Sequence, residues 1–196
     1  MLGTKVIEER NSEYNGNLRV ISTWGMGTYI QADGLTQSGG IVNTIWQSTL
    51  RKLKKESINN CLILGLGGGT VVKLILKYWP KARITGVDID QVIINLGKKY
   101  LDLKKVKIII KDAYIFKNEI NYDLLIVDLY KGDKFPKKFE TLKFLKTLTK
   151  NKIVIFNRLY YKDKKEEANK FEVKLHKVFS KVDKYFPPVN IMFICS

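Results

Sequence analysis

Residues Cys61-Leu62-Ile63-Leu64-Gly65-Leu66-Gly67-Gly68-Gly69-Thr70 decide how this chain is read. The run from Cys61 to Leu66 is apolar without a break, which predicts a strand buried on both faces, as in a parallel sheet. It ends in glycines, and Thr70 to Tyr78 follows as a helix stopped by Pro80. A strand feeding a helix through glycines brings backbone to the carboxyl edge of a sheet, where open α/β folds bind ligands. The loop lacks the lysine of a phosphate-binding P-loop, and Thr70 stands where a dinucleotide fingerprint would place a third spaced glycine or alanine.

Working downstream, the pattern repeats. Arg83 to Asp88 predicts a second strand, and Asp90 caps a helix over Gln91 to Tyr100. Val106 to Ile110, Tyr122 to Asp128 and Lys152 to Phe156 are further strands, with helices over Phe139 to Leu148 and Glu166 to Phe179. Val182 to Phe186 and Asn190 to Ile194 close the chain, joined at Pro187-Pro188. So short a turn holds no crossover, so this last pair is antiparallel. The expectation is a doubly wound, mostly parallel seven-stranded α/β sheet, Rossmann-type, with one reversed strand. Ordinary dinucleotide-binding domains lack that hairpin.

Upstream, residues 1–38 read as a small antiparallel β appendage to a domain over 39–196. Lys5 to Glu9, Asn17 to Thr23 and Gly27 to Ala32 are strand-like, and Asn15-Gly16 and Asp33-Gly34 are turn signals. After Gly39-Gly40, Ile41, Val42, Ile45, Trp46, Thr49, Leu50 and Leu53 recur at helical spacing.

Three strand ends carry acids. Asp88 follows Gly65 by 88 − 65 = 23 residues, close to the roughly 20 expected of a carboxylate that accepts from ribose hydroxyls. Asp112 follows the third strand; its carboxylate can accept from an exocyclic adenine amine while the Ala113 N–H reads a ring nitrogen. Asp128 ends the fourth strand, where a carboxylate positions or deprotonates a nucleophile; the alternative is a solvated strand-end acid. Cys61 and Cys195 read as buried thiols, with no disulfide framework or metal spacing. His176 reads as mid-helix, without a partner, and structural or superficial. Trp24, Trp46 and Trp79 read as packing residues of the core or appendage.

With 35 Lys+Arg against 19 Asp+Glu the net charge is +16. That field attracts nucleic acid or acidic partners. The lysines are spread along the chain, so the charge is read first as a solvated lysine-rich surface, with an RNA-binding role as the alternative. No apolar stretch reaches the roughly 18 residues of a membrane span, and Met1-Leu2-Gly3-Thr4-Lys5 opens no secretory signal. The expected location is cytoplasmic, with no membrane partner.

Four stretches together resemble the spermidine synthase (polyamine aminopropyltransferase) family: Asp33 to Ser38, Leu62 to Thr70, Val87-Asp88-Ile89-Asp90, and Tyr122 to Asp128 with its continuation through Pro136. The resemblance implies a class I methyltransferase-like fold and binding of S-adenosylmethionine or its decarboxylated form, without metal. By the same resemblance Gln37, Gly65, Gly67, Gly68, Gly69, Asp88, Ile89, Asp112 and Ala113 contact the nucleoside. Asp128 becomes the catalytic strand-end acid, the acceptor a small molecule, and the assembly a homodimer.

The departures are at the acceptor end. The family carries an Asp within the glycine loop, where this chain has Gly68. Its second strand-four acid is replaced: Asp128-Leu129-Tyr130-Lys131 ends in lysine. Its Tyr-His-Glu is missing, with Ile45-Trp46-Gln47 nearby, and Asn157 follows strand five. At ~4 Å and an effective dielectric near 20, a lysine for an acid moves the interaction with a diamine from about −4 to about +4 kcal/mol. The sequence is therefore read as a nucleotide-dependent transferase moving a methyl or aminopropyl group. Alternatives are a true polyamine aminopropyltransferase with a remodelled pocket, a basic RNA-binding protein, or a non-catalytic nucleotide binder.

Overall fold

The computed structural model describes residues 3–117 and 119–196. Met1 and Leu2, where the segment read for a secretory signal begins, lie outside them.

The chain opens with an antiparallel sheet of β1 (Thr4–Ser12), β2 (Gly16–Thr23), β3 (Gly27–Ala32) and β4 (Leu35–Gly39), in that order. Sequence patterning missed β4. Its Leu-Thr-Gln-Ser-Gly has no apolar alternation, and only Ser38 is buried in it. A register shift between Ile30 and Gln31 lets β4 pair with β3.

Helices α1 (Gly40–Lys52), α2 (Thr70–Tyr78), α3 (Gln91–Tyr100), α4 (Leu142–Lys146) and α5 (Lys164–Leu175) alternate with β5 (Asn60–Leu64), β6 (Arg83–Asp88), β7 (Lys107–Ile110), β8 (Leu124–Val127) and β9 (Ile153–Leu159). The hairpin β10 (Val182–Tyr185) and β11 (Asn190–Cys195) follows. The large sheet runs β10-β11-β9-β8-β5-β6-β7. β11 is antiparallel to both neighbours, and the remaining pairs are parallel. The predicted doubly wound, seven-stranded α/β sheet with one reversed strand is the one found.

Alternation along the central strands explains the layers. Cys61, Ile63, Leu124, Ile126, Ile153 and Ile155 point to one face and join a cluster with Trp46, Ile75 and Ile94 of α1, α2 and α3. Leu62, Leu64, Leu125, Val127, Val154 and Phe156 point to the other and meet Phe171 of α5 and Phe193 of β11. Leu18, Val20 and Ile30 of the small sheet belong to the first cluster. The small sheet thus packs over α1 and α3.

The helix expected over 139–148 is two pieces, a 3-10 turn at Lys137–Glu140 and then α4. Between them Thr141 is extended, and its hydroxyl accepts from the Phe144 N–H at 3.3 Å, a local bond that competes with helix continuation. No helix among the described residues is long and apolar enough to cross a membrane. Cys61 and Cys195 are buried free thiols, and burial pushes both above the usual thiol range.

Candidate active site

The chain leaves β5 toward β6 on one side and lies beside β8 on the other, so the carboxyl ends of these strands open into a crevice. A cavity of about 340 Å³ occupies it, within the usual range for small-molecule sites. Gln37, Gly65, Gly67, Asp88, Ile89, Asp112, Ala113 and Asp128 all line it. Eight of the ten residues picked from sequence therefore meet at one place. Gly68 and Gly69 do not; both are buried and off the cavity wall.

The glycine loop is shaped by the protein's own packing. A Cβ on Gly65 would stand 2.1 Å from the Asp128 carbonyl oxygen, and its φ of +89° belongs to glycine. A Cβ on Gly68 would meet Ser38 Cβ at 2.8 Å and the methyls of Ile30 and Leu101 at 2.9 Å. One on Gly69 would meet Leu103 Cδ1 at 2.3 Å. The expectation that every loop glycine yields to a ligand is corrected: Gly68 and Gly69 yield to β3, β4 and the residues after α3. The loop amides are also satisfied internally. Gly67 N–H donates to Asp88 Oδ2 at 2.7 Å, and Gly68 N–H to Ser38 Oγ at 2.7 Å. Thr70 Oγ1 accepts from the Gly39 N–H at 2.7 Å.

Asp88 sits beside the loop. Its other oxygen accepts from the Asp90 N–H at 2.9 Å. Burial pushes its carboxyl above the ordinary value, and the Asp90 and Gly67 amides offset that in part. A carboxylate has about four acceptor positions, so Asp88 keeps acceptor capacity beyond these bonds, and it lines the cavity. Asp90 caps α3 as expected, accepting from the Val92 and Ile93 amides. It also accepts from Ser12 Oγ at 2.5 Å and Asn15 Nδ2 at 2.6 Å, which pins the β1–β2 turn to the cavity rim.

Asp112 departs from the expectation of a carboxylate awaiting an adenine amine. Its Oδ2 pairs with Lys138 Nζ at 2.5 Å, and its Oδ1 accepts from the Tyr114 N–H at 2.8 Å. Burial works upward on this carboxyl, but Lys138 and the Tyr114 amide outweigh it and hold it below the ordinary value.

Asp128 is held through both oxygens by side chains. Its Oδ2 accepts from Trp46 Nε1 at 3.0 Å and its Oδ1 from Asn157 Nδ2 at 2.8 Å. Asn157 Oδ1 in turn accepts from Asn190 Nδ2 at 2.7 Å, carrying the network to the closing hairpin. Burial raises the Asp128 carboxyl to about 6; the two donors oppose that, and the Asp88 charge adds to it.

Patterning missed several neighbours. Tyr14, Asn15, Lys111, Lys138 and Phe139 line the cavity, and Trp46 holds its acid. Asn15 was visible only as a turn residue, and nothing local marks Lys138. Two other readings need correction. Trp24 is 94% exposed, so it packs in neither core nor appendage, whereas Trp46 and Trp79 are buried. His176 sits at the C-terminal cap of α5 rather than mid-helix, with Nε2 3.6 Å from Glu172 Oε1.

The chain is 34% identical over 139 residues to a polyamine aminopropyltransferase of Sulfurisphaera tokodaii, covering 64% of this chain and 46% of that one. It is 28% identical over 155 residues to an eEF1A lysine and N-terminal methyltransferase homolog of Drosophila melanogaster, covering 70% and 23%. The chain thus spans less than half the length of these curated relatives. A probable spermidine synthase from Corynebacterium glutamicum superposes with a TM-score of 0.81 over 98% of this chain and 80% of that one, at 18% identity. At that identity the likeness speaks for the fold. The Spermine/spermidine synthase domain family matches residues 45–193. Because that match runs from α1 into β11, through the whole parallel sheet and all three strand-end acids, the chain belongs to the spermine/spermidine synthase domain family.

Proposed function

We propose that this protein is an S-adenosyl-nucleotide-dependent transferase that alkylates a nucleophilic small molecule, with Asp88 at the nucleoside end of the cavity and Asp128 at the acceptor end. The observation that carries this reading is the placement of both acids in one cavity of nucleoside size, on opposite sides of the glycine loop. The lining fits such a ligand. Asp88 keeps acceptor positions for vicinal hydroxyls. Leu66, Val71, Ile89, Ile93 and Ala113 supply apolar walls for a flat base. Gln37 and Asp112 stand beside them, and Gly65 and Gly67 allow the backbone to approach.

When bound, the sulfonium supplies an electrophilic carbon: the acceptor lone pair forms the new bond while sulfur leaves with its electron pair as a neutral thioether. The protein's share is placement and proton handling. Trp46 and Asn157 fix both oxygens of Asp128, so the carboxylate holds one orientation. With its carboxyl at about 6, Asp128 is mostly ionised near neutral pH and is poised to take the proton from an acceptor N–H or O–H.

Calorimetric titration with S-adenosylmethionine, its decarboxylated form and methylthioadenosine tests this. Binding of the nucleoside, lost in Asp88→Ala, supports the reading; absence of binding by all three overturns it. The family match and the Sulfurisphaera tokodaii relative support a second reading, aminopropyl transfer to a polyamine. Product formation from putrescine and the decarboxylated nucleotide decides for it.

A further inference from the structure

Each carboxylate lining the cavity is already engaged. Asp88 accepts from two backbone amides. Asp112 is paired with Lys138. Asp128 accepts from Trp46 and Asn157. The nearest acid in sequence beyond Asp128 is Asp133, which is 3.1 Å from Lys164 Nζ and held below its ordinary value by that lysine. At the β8 end of the cavity the lining continues from Asp128 through Leu129, Tyr130 and Lys131. The Lys131 backbone is fixed by reciprocal hydrogen bonds with Lys134, N to O at 3.0 and 3.1 Å, so this tight turn sets where the lysine stands. Among the described residues Lys131 has no ion-pair partner, and Lys111, on the opposite rim beyond β7, has none either.

An ammonium group entering this end would meet Asp128, whose two oxygens are already held by Trp46 and Asn157, and beyond it the unpaired Lys131 cation. A carboxylate or phosphate would find an unpaired lysine and a Tyr130 ring packed edge-on against Phe135 as a fixed wall. We propose that Lys131 is a specificity residue that binds an anionic group at the acceptor end of the cavity and disfavours a polyamine there. This rests on the transferase reading for the identity of the acceptor end. The anionic group has two sources, the acceptor itself or the amino-acid tail of S-adenosylmethionine.

The experiment uses the full chain with Lys131→Gln and Lys131→Asp, both at an exposed side chain whose replacement leaves the core intact. Succinate, inorganic phosphate and putrescine are titrated by calorimetry with and without methylthioadenosine. S-adenosylhomocysteine and methylthioadenosine are titrated in parallel. The expected result is binding of an anion by the wild type, weakened at least tenfold in Lys131→Gln, about 1.4 kcal/mol, and further in Lys131→Asp. A loss confined to succinate or phosphate assigns the group to the acceptor. A loss for S-adenosylhomocysteine without one for methylthioadenosine assigns it to the nucleotide tail. Unchanged affinities for every anion in both variants, or tighter binding of putrescine than of either anion by the wild type, overturn the proposal. Failure of methylthioadenosine to bind refutes the nucleoside reading alone, because the anion titrations without it still decide the role of Lys131.

Discussion

Replacing Asp128 by Asn tests the buried acid through stability rather than turnover. The carboxyl moves from an ordinary 3.8 to about 6 on folding. At about 1.4 kcal/mol per pH unit this places on the order of 3 kcal/mol, an upper bound, between its two protonation states. The folded protein holds this proton more tightly than the unfolded chain. Its stabilising share is therefore complete below about pH 4 and lost as pH rises through about 6. Asparagine has no proton to release, so Asp128→Asn removes that slope. It also carries a fixed cost: one amide cannot accept from both Trp46 Nε1 and Asn157 Nδ2, and the donor left over costs about 1–3 kcal/mol at every pH. The readout is the difference in unfolding free energy between variant and wild type, from urea titrations at pH 4.5, 6 and 8. That difference moves in favour of the variant by about 2 kcal/mol across the range, with the other titrating groups cancelling. Parallel profiles, within 0.5 kcal/mol at all three pH values, would refute the argument that burial governs this carboxyl.

Three further outcomes follow from the same geometry. Trp46→Phe deletes the donor to Asp128 Oδ2, a bond to a charged group worth about 1.5–3 kcal/mol, so the midpoint of the Asp128-dependent slope moves upward by about one to two pH units; an unmoved midpoint denies Trp46 that role. Asp88→Asn keeps the side-chain shape but loses charge toward the cavity, and methylthioadenosine affinity falls about tenfold or more in calorimetry; its amide can accept from only one of the Gly67 and Asp90 N–H groups, so unfolding free energy also falls, by about 1–3 kcal/mol. Gly65→Ala meets the Asp128 carbonyl at 2.1 Å in a left-handed conformation, and loses at least 3 kcal/mol by denaturation.

The large sheet was legible because each of its central strands is apolar on both faces and short, and because each helix shows one stripe. The bounds of α2, β6 and α3 agree residue for residue with the periodicity. β4 was hidden because its pairing is set by a register shift in β3 rather than by its own side chains. In the site, acids that end strands were found because position in the strand predicts position in the crevice. Tyr14, Lys138 and Trp46 arrive from a turn, a 3-10 segment and a buried helix face, and no local pattern records which strand end they will meet. The lone histidine and the exposed Trp24 show the converse: residue type alone did not place them.

Gly68 joins these threads. The family resemblance makes it the place of a lost loop carboxylate, so Gly68→Asp is the obvious reversion toward polyamine chemistry. The packing argues otherwise. The first side-chain atom at position 68 lands against Ser38, Ile30 and Leu101 at 2.8–2.9 Å, and the backbone of Gly68 is itself 2.7 Å from where a Cβ on Gly97 would stand. The loop and α3 therefore touch through two glycines, with β3 and β4 closing the third side. An aspartate there meets an overpacked site, costing about 1–3 kcal/mol, and buries a charge with no cation beside it. Gly68→Asp should unfold at markedly lower urea than the wild type, and should give no putrescine-dependent transfer with the decarboxylated nucleotide. A variant of wild-type stability that makes spermidine would mean that position 68 opens to the ligand, and that the loop and α3 are held apart by something other than these glycines.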